Sequence, residues 1–275
     1  MSFRQSVLFY FMTALLALLP GRFASAADDP NIPVAGATRI NPKDGAEMVF
    51  VPAGSFLMGD DYREDNPRRT VTLDAFWIYK NDVTVSQYRK FCQATGREMP
   101  PAPNWGWKDD HPVVNVSWDD AAAYCDWAGV ALPTEAQWEK AARGTDGRTY
   151  PWGNGWDHEM LWSSAGEKRT STAPVGSFPA GASPYGCLDM AGNVWQWCAD
   201  WYDANYIKNA SATNPTGPAT GQYRVLRGGS WKGNFLNESY FRSTFRFNIA
   251  SYIVPTLRCS FYGFRGVGAV RADLN

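Results

Sequence analysis

The sequence predicts an α+β domain of low regular content, with two main helices near the middle of the chain. Two observations support this prediction. Helix-capping residues and helical spacing are confined to the region before Gly144, whereas the rest has short strand-like runs among Gly, Pro, Asn and aromatic residues. The chain also contains 25 Gly, 18 Pro, 13 Trp, 15 Phe and 13 Tyr. This composition indicates many turns and a core packed from large rings rather than from long amphipathic helices.

The N-terminal segment has the three-part pattern of a secretory signal peptide. A basic residue is followed by an apolar run at 7–19 and by small residues that end at Ala26. The apolar run is too short to span a bilayer as a helix, so we predict a cleaved signal at 1–26. An uncleaved membrane anchor is the alternative. It ranks second because no later apolar run has spanning length. We assign 27–46 to a linker and 47–275 to the domain.

Two segments with strand spacing open the domain. Residues 47–58 alternate apolar and small side chains before a turn at Gly59, and residues 69–79 form a second strand candidate. Near the C-terminus, short strands are predicted at 223–226 and 262–267.

Three segments have helix signals. Residues 84–95, 117–128 and 134–143 each begin with Ser or Thr in the N-cap position and are followed by glycine. The segment at 117–128 has the clearest pattern, because two aspartates occupy its first turn, where the helix dipole favours negative charge. Beyond Gly144 the helical signal ends.

Charge and cysteine content limit the possible functions. The formal net charge is −1, from 26 basic and 27 acidic residues, and no basic run stands out. We therefore expect no nucleic-acid partner and, after signal cleavage, no membrane association. Five cysteines are an odd number for an oxidising compartment, so at least one thiol is left without an intramolecular partner.

Nine motifs occur in an order that resembles the formylglycine-generating-enzyme (sulfatase-modifying factor) family. They are MVFVPAGSF at 48–56, VTVSQY at 83–88, HPVVNVSW at 111–118, AYCDWA at 123–128, LPTEAQWE at 132–139, YPWG at 150–153, DMAGNVWQW at 189–197, RGGSW at 227–231 and GFR at 263–265. The resemblance implies a C-type-lectin-like fold with two main helices and a small twisted antiparallel sheet.

The resemblance also implies a copper site that this sequence does not complete. Founding members of the family bind copper through two cysteines that follow the Gly-Gly-Ser motif. The matching positions here are Gly233 and Glu238. Neither residue supplies the thiolate that soft Cu(I) requires, so we predict no copper cofactor and no catalytic residue at these positions. Glu238 is interpreted as a solvated carboxylate, with cation binding or a role as a base as the alternative.

Calcium is the metal that the resemblance favours. The family wraps Ca²⁺ in a loop whose matching ligands here are Asp189, Gly192, Val194 and Gln196. Gln196 stands where the family usually has Glu, which should weaken binding. The alternative is a loop without an ion, held by the packing of the tryptophans beside Gln196.

The remaining cysteines and histidines give no catalytic pattern. Cys125 matches a family disulfide cysteine whose partner position is Ser243, whereas a Cys187–Cys198 bridge is conceivable from spacing. No cysteine has a neighbouring histidine that would activate it as a nucleophile. His111 and His158 do not form a paired metal motif, and we interpret His111 as structural.

The segment at 239–267 lacks Lys, Glu, Gln, Met and Trp. Rigid aromatics mixed with small polar residues are typical of binding loops, and this composition resembles the segment diversified in retroelement variable proteins of a related branch. Positions that fit are Phe245, Phe247, Asn248, Ile249, Ser251, Tyr252, Cys259, Ser260, Phe261 and Tyr262. An ordinary core-and-loop segment is the alternative. Arg242, Arg246 and Arg265 are interpreted as scaffold residues.

Three hypotheses of function follow. The first is an exported monomer that binds a protein or small molecule through its C-terminal loop face, with Trp231, Asn234, Glu238, Phe245, Phe247, Ile249, Tyr252, Phe261 and Tyr262 as ligand-binding residues. The second is a periplasmic oxidase resembling the pyoverdine-maturation enzyme of the same family. The third is a formylglycine-generating oxidase with an atypical site.

Overall fold

Each predicted helix is present and begins at a capping box. The computed structural model describes residues 32–61, 64–164, 168–232, 237–247 and 253–270. The helices are α1 (Val85–Thr95), α2 (Trp118–Ala128), α3 (Glu135–Arg143) and a single turn, α4 (Tyr206–Asn209). Thr84, Ser117 and Thr134 cap the first three by accepting a hydrogen bond from the N3 backbone amide. The helix α3 has 9 residues and is nearly as long as α1 and α2, which have 11 each.

In the part of the chain that the structure describes, nine short strands form two sheets and a hairpin. They are β1 (Thr38–Ile40), β2 (Glu47–Val51), β3 (Gly54–Met58), β4 (Arg69–Leu73), β5 (Phe76–Tyr79), β6 (Trp195–Trp201), β7 (Arg224–Arg227), β8 (Tyr262–Gly263) and β9 (Val267–Ala269). One antiparallel sheet has the order β1-β2-β5-β9, and β3 pairs with β4. In the third group, β7 is antiparallel and β8 parallel to the central strand β6.

Each predicted N-terminal strand is divided into two. Residues 47–58 were predicted as one strand, but β2 and β3 belong to different sheets and are separated at Pro52. Proline has no backbone N–H for a ladder bond, so a break there is expected. Residues 69–79 divide in the same way, into β4 and β5.

The domain begins before residue 47, which corrects the predicted linker. Strand β1 pairs with β2 in antiparallel register. The buried Asn41 amide donates to the Tyr79 hydroxyl at 2.7 Å, and the buried Asp44 carboxylate accepts hydroxyl hydrogen bonds from Tyr79 and Tyr124 at 2.6 Å each. These contacts join the segment after residue 37 to the core. The predicted signal peptide at 1–26 lies outside the described residues.

The core is built from aromatic rings, as the composition indicates. Tyr88 and Tyr124 stack with centroids 5.7 Å apart, and Phe264 packs edge-on against Tyr124 at 5.3 Å. Edge-on and offset ring pairs add a modest stabilisation to the burial of their area. Within the described residues, no helix combines the length and apolar character needed to cross a membrane.

Candidate functional site

A buried ion-pair cluster fixes the segment that leads to Trp231. The Arg227 guanidinium donates to Glu135 Oε1 at 2.8 Å and to Glu139 Oε2 at 2.6 Å, and Arg227 and Glu139 have no exposed area. Both glutamates project from α3, so this helix sets the position of β7. Buried charges are tolerated because they are paired and hydrogen-bonded.

Arg246 joins the C-terminal segment to the same helix. Its Nε and Nη2 atoms donate to the two oxygens of Glu135 at 2.7 and 3.0 Å, a bidentate arrangement. Burial raises the pKa of Glu135, but the charges of Arg246 and Arg227 outweigh it and lower the pKa below its usual value. Arg246 is therefore a scaffold residue, as predicted.

Two glycines after Arg227 let the chain approach Phe241. Gly228 and Gly229 have φ angles of 99° and 79°. A Cβ atom on Gly229 would lie 2.5 Å from the Phe241 ring. Residues other than glycine rarely adopt such φ angles, and a side chain at position 229 would also have no room. The Gly-Gly pair therefore brings the segment before Trp231 against the turn that contains Phe241.

Partly exposed rings lie at both ends of this segment, some beside Trp231 and some beside Phe241. Trp105 packs edge-on against Trp231 at 5.2 Å, and the Lys232 ammonium lies 5.3 Å from the Phe261 ring centroid. Next to Phe241, Trp156 stacks at 5.5 Å, and Tyr150 stacks on Trp152 at 5.1 Å. We call Trp105, Trp152, Trp156, Lys232 and Phe261 the aromatic face.

Polar groups border the ring cluster. Tyr150 is hydrogen-bonded to Arg242 and lies within electrostatic reach of the exposed Glu238. Burial, with the charge of Glu238, raises the pKa of Tyr150, so its hydroxyl stays neutral. Glu238 begins a 3₁₀ turn (Glu238–Phe241) that Asn237 caps. The carboxylate of Glu238, the guanidinium of Arg242 and the phenol of Tyr150 thus lie next to one another at the edge of the aromatic face.

The predicted ligand-binding residues divide into three groups. Phe245 and Tyr262 are buried in the core, where Phe245 packs on Tyr240 and Tyr262 on Trp197, so neither side chain faces solvent as a ligand-binding residue would. Trp231 is also buried, and its indole donates to the carbonyl of Ser260 at 3.0 Å. It supports Trp105 rather than facing solvent.

Glu238 is exposed, and Phe247 and Phe261 are partly so. Phe247 lies 4.5 Å from the ring of Trp195. Asn234, Ile249 and Tyr252 lie outside the described residues, as do Asn248, Ser251 and Gly233, which matches a copper-binding cysteine of the family. Sequence reasoning did not select Trp105, Trp152, Trp156 or Lys232. The YPWG motif was the signal available for Trp152.

None of the five cysteines forms a disulfide. Cys187 and Cys198 are both fully buried and unbridged, so the bridge that their spacing allowed is not formed. Burial raises the pKa of both thiols. Cys259, at the edge of the aromatic face, also has a pKa raised by burial, although the charge of Lys232 opposes the shift. No thiol is activated.

Gln196, predicted as a calcium ligand, is fully occupied by protein groups. Its Oε1 accepts from Trp138 Nε1 and Arg265 Nε at 2.7 Å each, and its Nε2 donates to the Asp189 carbonyl at 2.7 Å. An amide oxygen with two donors has no acceptor position left for an ion. As arranged here, Gln196 does not fit a calcium ligand.

Asp189 does retain features of a cation ligand. It is buried at a left-handed φ of 54°, and its Oδ2 accepts the Gly176 amide at 2.7 Å. Burial raises its pKa, and Arg265 opposes this shift. Calcium in this region therefore stays a prediction, with Asp189 as the predicted side-chain ligand that still fits.

His111 is buried and structural in its contacts. Its Nδ1 lies 2.9 Å from the Thr172 hydroxyl, and burial together with the charge of Lys108 lowers its pKa. His158 is exposed beside Glu159. Within the described residues, no group of three or more His, Cys, Asp or Glu side chains is arranged to hold a metal ion.

The capped helices, the small sheets and the long ring-packed loops define an α+β domain of low regular content. Residues 34–270 match the family described as "Sulfatase-modifying factor enzyme 1-like domain". The chain belongs to the sulfatase-modifying factor family, which confirms the family and the fold that the motifs predicted.

Relatives in sequence include two formylglycine-generating enzymes and a kinase. The enzyme of Thermomonospora curvata is 35% identical, over 82% of this chain and 95% of that protein. The enzyme of Bos taurus is 32% identical, over 82% of this chain and 75% of that protein. The serine/threonine-protein kinase pkn1 of Chlamydia caviae is 38% identical over 68% of this chain, which is 33% of the kinase.

Solved structures with the same fold include PvdO and a variable protein. PvdO from Pseudomonas aeruginosa superposes with a TM-score of 0.72 at 27% identity, covering 87% of this chain and all of that chain. Variable protein 1 of Treponema denticola superposes with a TM-score of 0.68 at 25% identity, covering 84% of this chain and 98% of that chain.

Proposed function

We propose that this chain is an exported, monomeric binding protein that holds a peptide or protein ligand on its aromatic face. The observation that carries the proposal is the set of partly exposed rings at Trp105, Trp152, Trp156 and Phe261, with Lys232 beside Phe261. Tryptophan supplies a large contact area at low entropic cost, which is why it is enriched where proteins bind one another.

Two further observations support binding over copper chemistry. The second copper-cysteine position carries Glu238, an exposed carboxylate at the edge of the aromatic face. A carboxylate does not replace a thiolate toward Cu(I). The structural likeness to variable protein 1 of Treponema denticola, together with the composition of residues 239–267, favours a binding role in which this segment varies between copies.

A periplasmic oxidase is the second candidate. The likeness to PvdO favours it, and Tyr150, Arg242 and Glu238 place polar groups next to the rings where an oxidase would act. A formylglycine generator with an atypical site is the third candidate. Incubation of the purified chain with copper and a Cys-x-Pro-x-Arg peptide separates the third from the first. We expect no aldehyde by mass spectrometry, and an aldehyde product would overturn the binding proposal.

Binding is tested with a phage-displayed peptide library. Peptides selected on the purified chain should lose affinity by roughly tenfold or more for Trp152→Ala and Lys232→Gln, because both remove contact area or charge from the aromatic face. Lys208→Gln, an exposed lysine on α4, is the matched control. Equal binding by all three variants would place the ligand elsewhere, and a library that yields no binder would count against the proposal.

Export is tested separately by expressing the full chain in a bacterial host and fractionating the cells. We expect the protein outside the cytoplasm with Ala27 as its first residue. A protein retained in the membrane fraction with residues 1–26 intact would support the membrane-anchor alternative.

A further inference from the structure

Two buried oxygens next to each other in sequence lack hydrogen-bond partners. Asn81 Oδ1 and Asp82 Oδ2 have no donor among the described residues. Asp82 is only 1% exposed, so solvent does not compensate. A buried acceptor left without a donor costs free energy, more so when it is charged, and native structures contain few of them.

The two oxygens share their surroundings with Asp189. The Gly176 amide donates to Asp189 Oδ2 at 2.7 Å, and a Cβ atom on Gly176 would lie 3.2 Å from Asn81 Oδ1. Gly176 is therefore hydrogen-bonded to Asp189 and lies beside Asn81. Asp82 is close enough to Asp189 for the charges of the two carboxylates to interact.

The Arg265 guanidinium lies beside Asp82, and all of its N–H groups already donate hydrogen bonds. Its Nε donates to Gln196, its Nη1 to the carbonyls of Tyr79 and Lys80, and its Nη2 to Asp82 Oδ1 and the Leu188 carbonyl. A guanidinium has five N–H groups, and these contacts use all of them. Arg265 therefore cannot also satisfy Asp82 Oδ2 or Asn81 Oδ1.

Two buried carboxyl groups face one guanidinium in the same place. When Asp82 and Asp189 are both ionised, the single charge of Arg265 leaves one negative charge in the interior. The neighbouring Lys80 pairs with Glu47 at 3.0 Å. A bound cation would supply the unpartnered oxygens with a positive partner, and protonation of one carboxyl group is the alternative.

We infer that Asn81, Asp82 and Asp189 bind a metal cation through their side-chain oxygens. Amide and carboxylate oxygens form a hard donor set, suited to Ca²⁺ or Na⁺ and unsuited to copper. Asp189 is a ligand both of this inferred site and of the calcium loop that the family resemblance implied. The other two ligands are different, because Gln196 is held by Trp138 and Arg265. The cation would join the start of α1 to the loop before β6.

Calcium and terbium are suitable probes. We would deplete the full chain of metal with a chelator, then measure its melting temperature against calcium and its tryptophan-sensitised luminescence against Tb³⁺. We expect saturable Tb³⁺ luminescence that calcium displaces, and a rise in melting temperature with calcium. Asp82→Asn, Asp189→Asn and Asn81→Ala should each weaken calcium binding by roughly tenfold or more. Asp126→Asn, at an exposed aspartate of α2, is the matched control.

Three results would overturn the inference. The first is the absence of any response to millimolar calcium and to Tb³⁺. The second is an affinity that Asp82→Asn and Asn81→Ala leave unchanged, which would place the ion in the 192–196 loop instead. The third is a chelated wild-type chain whose stability equals that of the metal-loaded chain, which would mean that a proton or a water satisfies these oxygens. Circular dichroism of each variant separates loss of binding from loss of fold.

Discussion

Arg246 forms a bidentate ion pair with Glu135, in which Nε donates to Oε1 at 2.7 Å and Nη2 donates to Oε2 at 3.0 Å. The two residues are far apart in sequence, one in the first turn of α3 and the other in the C-terminal segment. Because Arg227 binds the same carboxylate, one glutamate orients both segments that border the aromatic face.

Removing this carboxylate should be costly. Glu135→Gln leaves two buried guanidiniums without their full partner, and we expect a loss of about 3 kcal/mol or more in the free energy of unfolding. Urea denaturation monitored by tryptophan fluorescence measures it. The matched control is Asp61→Asn, which removes the exposed Arg68–Asp61 pair (3.2 Å). We expect that change to cost less than about 1 kcal/mol. Equal losses would show that the buried cluster is not a stabilising unit.

Asp200 should make stability fall with rising pH. Burial, with the nearby charge of Glu135, raises the pKa of Asp200 to about 7. The neutral form is favoured in the folded chain, so its contribution is full below the unfolded pKa of about 3.9 and is lost as pH rises through 7. Asp200→Asn keeps an oxygen to accept the Glu135 amide, a bond of 2.8 Å in the wild type.

The test compares urea unfolding of wild type and Asp200→Asn between pH 5 and 8. We expect the variant to gain stability relative to wild type as pH rises across this interval. The difference between the two curves isolates Asp200 from other carboxyl groups. A constant difference across the interval would contradict the prediction.

The helices could be predicted from the local sequence, whereas the residues of the aromatic face could not. Thr84, Ser117 and Thr134 cap their helices through contacts three residues away, so the signal is local. Strand β6 was missed because most of its side chains are buried, and it therefore lacks the alternation of a half-exposed strand. Whether Phe245 or Phe261 faces solvent depends on long-range packing, and their shared aromatic composition gives no indication of it.

Lys140 should make stability rise with pH in the alkaline range. Its ammonium is buried and donates to the carbonyls of Pro52 and Gly54 at 2.7 and 2.9 Å. Burial lowers its pKa to about 8. The unfolded chain therefore binds more protons between pH 8 and about 10.4, the unperturbed lysine pKa, and stability rises across this window.

Lys140→Met removes the titrating group and leaves the two carbonyls without a donor. We expect a less stable variant whose alkaline rise is smaller than that of the wild type, measured by guanidinium unfolding at pH 8, 9 and 10. An unchanged slope would mean that Lys140 is not the group responsible.

Gly229 offers a test of the close approach that shapes the site. Alanine there requires a positive φ of 79° and places its Cβ 2.5 Å from the Phe241 ring. Gly45 has a nearly equal φ of 81° with nothing within 4 Å of the same Cβ position. Gly45→Ala therefore reports the backbone cost alone, about 1 kcal/mol. We expect Gly229→Ala to exceed it by at least about 1 kcal/mol in urea unfolding, because Phe241 must move. Since Phe241 stacks on Trp156, the same variant should weaken selected peptides, whereas Gly45→Ala should not. If the two variants match in stability and binding, the contact of Gly229 with Phe241 does not shape the aromatic face.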